Sequence, residues 1–181
     1  MKVVPTAIAD VLLLEPKVFG DARGLFLESY NRRTFQEDTG LDVEFVQDNH
    51  SRSSRNVLRG LHYQIRHAQG KLVRVITGDI WDVAVDLRRN SPTFGRSVAF
   101  WLDADSRRMA WIPPGFAHGF LVTSAYAEVL YKTTDYYEPV HERTLLWNDP
   151  ALAINWPVTG EPLLAEKDRK GSLLAAAEVY A

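Results

Sequence analysis

The chain has 181 residues, 46% of them hydrophobic and 11% aromatic, which is enough to bury one core and short for two, so a single domain over residues 1–181 is expected. A net charge of -2 with both signs mixed along the chain argues against nucleic acid as a partner and points to a small molecule or a protein. The absence of cysteine excludes disulfides and thiolate metal sites. Asp10 interrupts the apolar run near the N-terminus, and no stretch approaches the roughly twenty apolar residues of a membrane span, so a cytoplasmic protein with no membrane partner is expected.

In chain order, β-rich or alternating runs occupy 24–30, 43–49, 57–64, 71–77, 79–87, 96–102, 108–112, 118–123 and 127–134. Turns bearing Gly, Pro, Asn and Asp separate them, as in Thr77-Gly78-Asp79 and Arg89-Asn90-Ser91-Pro92. Many short strands with such punctuation predict an all-β sandwich or barrel. One helix is predicted from Asn31 to Thr39, with Asn31 as N-cap and Gly40 at its end, packed outside the sheets. From Pro139 the strand rhythm fades, and the Ala-rich terminus reads as a short helix or a frayed end. The barrel core is expected at about 43–137, with N-terminal strands and C-terminal short helices packed on it.

Two histidines enter from strands in this pattern. His62 sits in Arg59-Gly60-Leu61-His62-Tyr63-Gln64, and strict alternation would put Arg59 and His62 on opposite faces. Gly60 between them is a natural bulge that could turn both inward, and arginine beside histidine in a cavity suits an anionic substrate. Read alone, a strand histidine such as His62 is more often a hydrogen-bonded core residue than a catalyst, and the alternative for Arg59 is a solvated or salt-bridged surface residue. His118 ends Pro113-x-Gly115-x-x-His118, which resembles the second motif of the cupins, where a tight turn delivers a histidine into a barrel. The first motif of a metal-binding cupin would be His-x-His followed by a glutamate. Here it reads His62-x-Gln64, and residues 65–70 hold no glutamate. With too few ligands for a divalent transition metal, the expectation is a cupin-type β-barrel or jelly roll with no metal site.

Several ordered motifs then carry a wider resemblance, from Pro16 to Asp168. They are Pro16-Lys17-Val18-Phe19-Gly20-Asp21-x-Arg23-Gly24, Phe45-Val46-Gln47-Asp48-Asn49, and Leu58 to Gln64. Tyr131-Lys132-Thr133-Thr134-Asp135-Tyr136-Tyr137 and Glu166-Lys167-Asp168 complete the set. The chain resembles the dTDP-4-dehydrorhamnose 3,5-epimerases, metal-independent cupins of dTDP-L-rhamnose synthesis.

The resemblance implies a cofactor-free epimerase that inverts C3 and C5 of dTDP-4-dehydro-6-deoxy-D-glucose and feeds L-rhamnose to cell-surface polysaccharide such as lipopolysaccharide. By position it makes His62 the base, Lys71 the donor to the C4 keto oxygen, Tyr131 the acid on the opposite face and Asp168 the carboxylate paired with the base. It assigns Arg23, Arg59 and Lys167 to the pyrophosphate, with amides from Gln47 and Asn49, and stacks Tyr137 on the thymine. Glu28, Asp48, His118 and Glu142 also match positions that line the site. From the residues alone, Lys71 reads as a strand-edge lysine, Tyr131 as a core tyrosine and Asp168 as one charge in a mixed run. The family further implies a homodimer with exchanged strands. Open alternatives are an epimerase of C3 only or C5 only, a metal-dependent cupin, and a module that binds a nucleotide sugar without turnover.

Overall fold

Short strands that alternate apolar and polar residues bury their apolar faces by pairing two sheets, and the computed structural model, which describes residues 1–181, is built this way. The strands are β1 (Lys2–Pro5), β2 (Leu12–Glu15), β3 (Val18–Asp21), β4 (Gly24–Leu27), β5 (Gln47–Ser54), β6 (Leu58–Gln64) and β7 (Lys71–Thr77). There follow β8 (Asp79–Asp86), β9 (Ser97–Asp103), β10 (Met109–Ile112), β11 (Phe116–Val122), β12 (Tyr126–Thr133) and β13 (Glu142–Thr144). A six-stranded sheet runs β1-β2-β10-β7-β12-β5 and a five-stranded sheet β13-β6-β11-β8-β9, while β3 and β4 form a separate ribbon. Every pairing between these strands is antiparallel, as in a jelly-roll barrel.

Alternation fixes what each face buries. Val73 and Val75 of β7, Ile80 and Ala84 of β8, Phe116 and Phe120 of β11 and Ala127 and Val129 of β12 meet between the sheets. The odd residues of β8, Val83 and Val85, point the other way and pack under the C-terminal segment with Leu145, Leu152 and Trp156. On the outer face of the six-stranded sheet, helix α1 (Arg32–Thr39) seats Phe35 against Leu14, Leu72, Met109 and Trp111. That helix starts where the sequence predicts: Asn31 Oδ1 accepts from the amides of Arg33 and Thr34 at 3.0 and 3.3 Å. It stops at Gly40, whose φ of 73° is open to glycine at little steric cost.

The departures from the predicted elements have physical causes. The 43–49 run becomes strand only at Gln47, because Phe45 turns aside to pack edge-on against Phe35 and Trp111, at 5.8 and 5.9 Å between ring centroids. The 24–30 run ends as strand at Leu27. Four strands fall outside the predicted runs, β1, β2, β3 and β13, each of three or four residues, too short for alternation to register, although N-terminal strands were expected. Of these, β1 and β2 lie N-terminal to the expected barrel core yet extend the six-stranded sheet beyond β10. The Ala-rich end is docked: Leu174–Ala176 makes a 3-10 turn, and the Tyr180 hydroxyl donates to the Gln64 carbonyl at 2.5 Å.

Candidate active site

The interior of the barrel is apolar at one end and polar at the other, where it opens as a cavity of about 580 Å³. Gly60 makes the polar end possible. In the pairing of β11 with β6, His118 faces His62 and Phe120 faces Arg59, so Gly119 alone stands opposite two residues, Gly60 and Leu61. This β-bulge resets the alternation and brings Arg59 and His62 to the same cavity, as the sequence suggested. Only glycine fits there. Its φ is 117°, and a Cβ would lie 2.6 Å from both Gly119 Cα and the His118 carbonyl oxygen.

His62 Nε2 lies 2.5 Å from Asp168 Oδ1. The carboxylate is 1% exposed and arrives on the one-turn helix α2 (Glu166–Arg169). The segment before α2 is laced to the start of β6: Asn56 Nδ2 donates to the carbonyls of Thr159 and Glu161, both at 2.9 Å, and the Leu58 amide donates to Leu163 at 3.0 Å. A sequence separation of 106 residues is thereby closed onto a single hydrogen bond. Burial drives the His62 pKa below its ordinary 6.5, outweighing the bond and charge of Asp168, which raise it.

On the facing wall, β7 and β12 supply Lys71 and Tyr131, in register with the interior valines of their strands. Lys71 is buried, and its Nζ donates to the His62 carbonyl at 3.5 Å. Desolvation pushes its pKa down to about 8, against the raising effect of Asp82 and Glu142. Burial raises the Tyr131 pKa above its usual 10, opposed by the charges of Arg59 and Lys167. The polar end therefore places an imidazole on the five-stranded sheet and a phenol and a buried lysine on the six-stranded sheet.

Around the rim, Arg59 Nε donates to Ser53 Oγ at 2.9 Å, and Gln47 Nε2 donates to Asn49 Oδ1 at 2.9 Å. Glu142 joins two others: Lys167 Nζ donates to Oε1 at 2.8 Å and the Tyr137 hydroxyl to Oε2 at 3.1 Å. Burial pushes the Glu142 pKa upward, but the Lys167 bond and the charges of His62 and Lys167 prevail and hold it below the usual value. His118 pairs through Nε2 with Asp82 Oδ2 at 2.8 Å, both groups being buried.

Eleven of the expected residues thus line one cavity, namely His62, Lys71, Tyr131, Asp168, Gln47, Asn49, Arg59, His118, Tyr137, Glu142 and Lys167. Three do not reach it within this chain. Asp48 points from the other face of β5 and pairs with Lys132 at 2.9 Å. Glu28 accepts from Asn31 Nδ2 at 3.0 Å beside the start of α1, and Arg23 pairs with Asp21 at the tip of the β3–β4 ribbon. Sequence reasoning also missed Asp82, whose Oδ1 is buried without a hydrogen-bond partner. Its signal was a carboxylate in register with Ile80 and Ala84, on the face that enters the barrel.

His62 and His118 each turn Nε2 to a carboxylate, that of Asp168 and that of Asp82. Gln64 spends its amide on backbone, donating to the carbonyls of His67 and Tyr136 and accepting from the Glu138 amide. The cupin metal set is not present in these residues.

Comparison with known proteins follows the same line. The family model described as dTDP-4-dehydrorhamnose 3,5-epimerase matches residues 5–176. The chain belongs to the dTDP-4-dehydrorhamnose 3,5-epimerase family. It is 62% identical over 180 residues to the dTDP-4-dehydrorhamnose 3,5-epimerase of Pseudomonas aeruginosa, covering 99% of each chain. The enzyme of the same name from Salmonella typhimurium is 58% identical over 175 residues, covering 96% of each. Among solved structures, the dTDP-6-deoxy-D-glucose-3,5-epimerase of Legionella pneumophila, in complex with dTDP-4-keto-L-rhamnose, superposes with a TM-score of 0.96. That protein is 47% identical, and the match covers 98% of this chain and 94% of the other. The dTDP-4-dehydrorhamnose 3,5-epimerase family is one of carbohydrate epimerases, and its cupin-like fold is the one described above.

Proposed function

We propose that the chain inverts both C3 and C5 of dTDP-4-dehydro-6-deoxy-D-glucose, giving dTDP-4-dehydro-L-rhamnose. The observation that carries this reading is the placement of His62 and Tyr131 on opposite sheets of one cavity with Lys71 beside His62. A proton alpha to a ketone is acidic because the electron pair left on carbon spreads onto the keto oxygen. His62 takes that proton, breaking the C–H bond, and Lys71 holds the resulting enolate oxygen. Tyr131 then donates a proton to the same carbon from the other face, and the phenolate and imidazolium exchange protons with solvent. Asp168 fixes the His62 tautomer and stabilises the imidazolium. Since C3 and C5 flank the same ketone, one such set serves both carbons. The net change is an inversion, for which no electron acceptor or cofactor is required.

The nucleotide fills the rim in this reading. Arg59 and Lys167 meet the diphosphate, Gln47 and Asn49 present amides, and Tyr137 stacks on the thymine. Glu142 positions Tyr137 and Lys167 through its two hydrogen bonds. The β3–β4 ribbon suggests the assembly. A lone two-stranded ribbon is marginal in water, and this one exposes Val18, Phe19, Leu25 and Phe26, the last at 70%. A homodimer in which each ribbon lies on the partner would cover these side chains and deliver Arg23, with Glu28 just beyond the ribbon, toward the partner's cavity. The product would supply L-rhamnose to surface polysaccharide from the cytoplasm. No helix is long and apolar enough to cross a membrane.

Proton NMR of the substrate with the protein in heavy water tests the reading directly. Exchange at C3 and C5 is expected. Exchange at one position alone would make it a single-site epimerase, and none at either would leave a binding module. His62→Ala should abolish exchange at both carbons while nucleotide binding persists.

A further inference from the structure

Three of the five histidines, His50, His67 and His141, take no part in the cavity. His67 and His141 stack with ring centroids 5.7 Å apart, and Glu138 joins them so that one ligand atom from each of the three lies within 4.8 Å of the others. The three come from two loops, 65–70 after β6 and 134–141 before β13, and the backbone fixes both. Gln64 Nε2 donates to the His67 carbonyl at 2.7 Å, while Gln64 Oε1 accepts from the Glu138 amide at 2.8 Å. The Ile65 amide donates to the His141 carbonyl, and the His141 amide to that of Glu138, each at 3.0 Å. The side chain that stands in the place of a cupin metal ligand therefore clamps this second group together.

Two further details suit a ligand set. His67 holds a φ of 52°, a left-handed conformation unusual for a residue with a Cβ. Asp135 Oδ2 lies 3.4 Å from His67 Nδ1. A carboxylate beside one ring nitrogen directs the proton there and leaves the lone pair on the other, the arrangement found behind metal-bound histidines.

The geometry points to a His67-Glu138-His141 site for a divalent transition ion of the zinc class, outside the barrel and separate from the proton-transfer residues. Two imidazoles and one carboxylate are the ligands such an ion accepts, with water in the fourth position. The half-exposed His67 ring has room for the small rotations that would close the ligand atoms on an ion. Tyr137 and Glu142 flank the ligands in sequence, so ion binding stiffens the adjoining rim of the cavity.

The test is calorimetric titration of zinc ion into chelator-stripped protein, with cobalt ion as a spectroscopic substitute. One equivalent per chain is expected, with an intense tetrahedral cobalt spectrum. His67→Gln and His141→Gln should each weaken binding about a hundredfold, and Asp135→Asn about tenfold, while the melting temperature without metal stays near that of the parent. His62→Ala should bind zinc as the parent does. Equal affinity in His67→Gln and the parent, no stoichiometric binding, or loss of binding in His62→Ala would each overturn the site. Should His141→Gln disturb the fold, His67→Gln, whose side chain is half exposed, still decides the matter.

Discussion

His62 Nε2 and Asp168 Oδ1 stand 2.5 Å apart, one imidazole at the cavity wall and one carboxylate removed from water. Breaking that bond would leave a buried polar group without its partner, so the pair acts as one unit. Asp168→Asn keeps the shape, favours the other tautomer and leaves the imidazolium unsupported. We expect kcat to fall by about two to four orders of magnitude with KM little changed, measured by steady-state turnover. A loss under fivefold would mean that Asp168 serves the fold and not the base.

The shifts of His62 and Lys71 predict a bell-shaped dependence of kcat/KM on pH. In the proposed role of base His62 must be neutral, and its pKa lies below 6.5, so activity should rise as pH passes that pKa from below. In the proposed role of donor to the enolate oxygen Lys71 must be a cation, and with a pKa lowered to about 8 activity should fall as pH climbs through 8. Stability carries the opposite sign. The folded-state pKa of Lys71 is below its unfolded value, so the unfolded chain binds the extra proton between about 8 and 10.5, and stability rises across that window. Lys71→Met should lower kcat about a hundredfold and abolish both the alkaline activity limb and the alkaline gain in stability. A limb that stays at the same pH in this variant belongs to another group.

The parts of the fold that were legible in the sequence are those set by local chemistry. Asn31 and Gly40 bracket the helix because capping is a matter of a few adjacent atoms, and the seven strands from β6 to β12 were found because each alternates or begins at a turn. Short β2 and β13 pair with β10 and β6, far away in the chain, while β1 and β3 pair nearby but are too short for alternation to show. The site divides the same way. Gly60 announced a bulge, but nothing local reveals that Asp168 meets His62 or that Asp82 backs His118, since those meetings depend on how the C-terminal segment and β8 close on the barrel. Asp48 stands outside its own chain's cavity because one residue of register separates the cavity from solvent along β5.

Gly60 offers the sharpest structural test. Gly60→Ala places a methyl 2.6 Å from backbone atoms of β11 in a conformation that side chains rarely adopt. Backbone cannot yield as a flexible side chain would, so the strands must separate or the bulge must migrate. We expect a loss of about 3 kcal/mol in urea unfolding, together with loss of proton exchange even where the variant remains folded, because Arg59 and His62 leave their shared cavity. A variant of parental stability and activity would show that the register of β6 tolerates a second solution.

The β3–β4 ribbon leads to a complementation experiment. Arg23 lies away from its own cavity, and its ribbon exposes Phe19 and Phe26. If each ribbon serves the partner's cavity, Phe26→Asp should yield monomers in analytical ultracentrifugation and raise KM together with Arg23's loss from the site. Arg23→Ala alone should raise KM in the intact dimer, and His62→Ala should be inactive. Mixed by co-refolding, those two variants form dimers in which the Arg23→Ala chain keeps its own His62 and receives Arg23 from the His62→Ala chain. That cavity is complete and the other is dead, so near-parental KM should return with up to half the parental activity in each mixed dimer. If Arg23 instead served its own chain, no mixed cavity would hold both residues, and KM would stay at the value of the single variant whatever the mixing ratio.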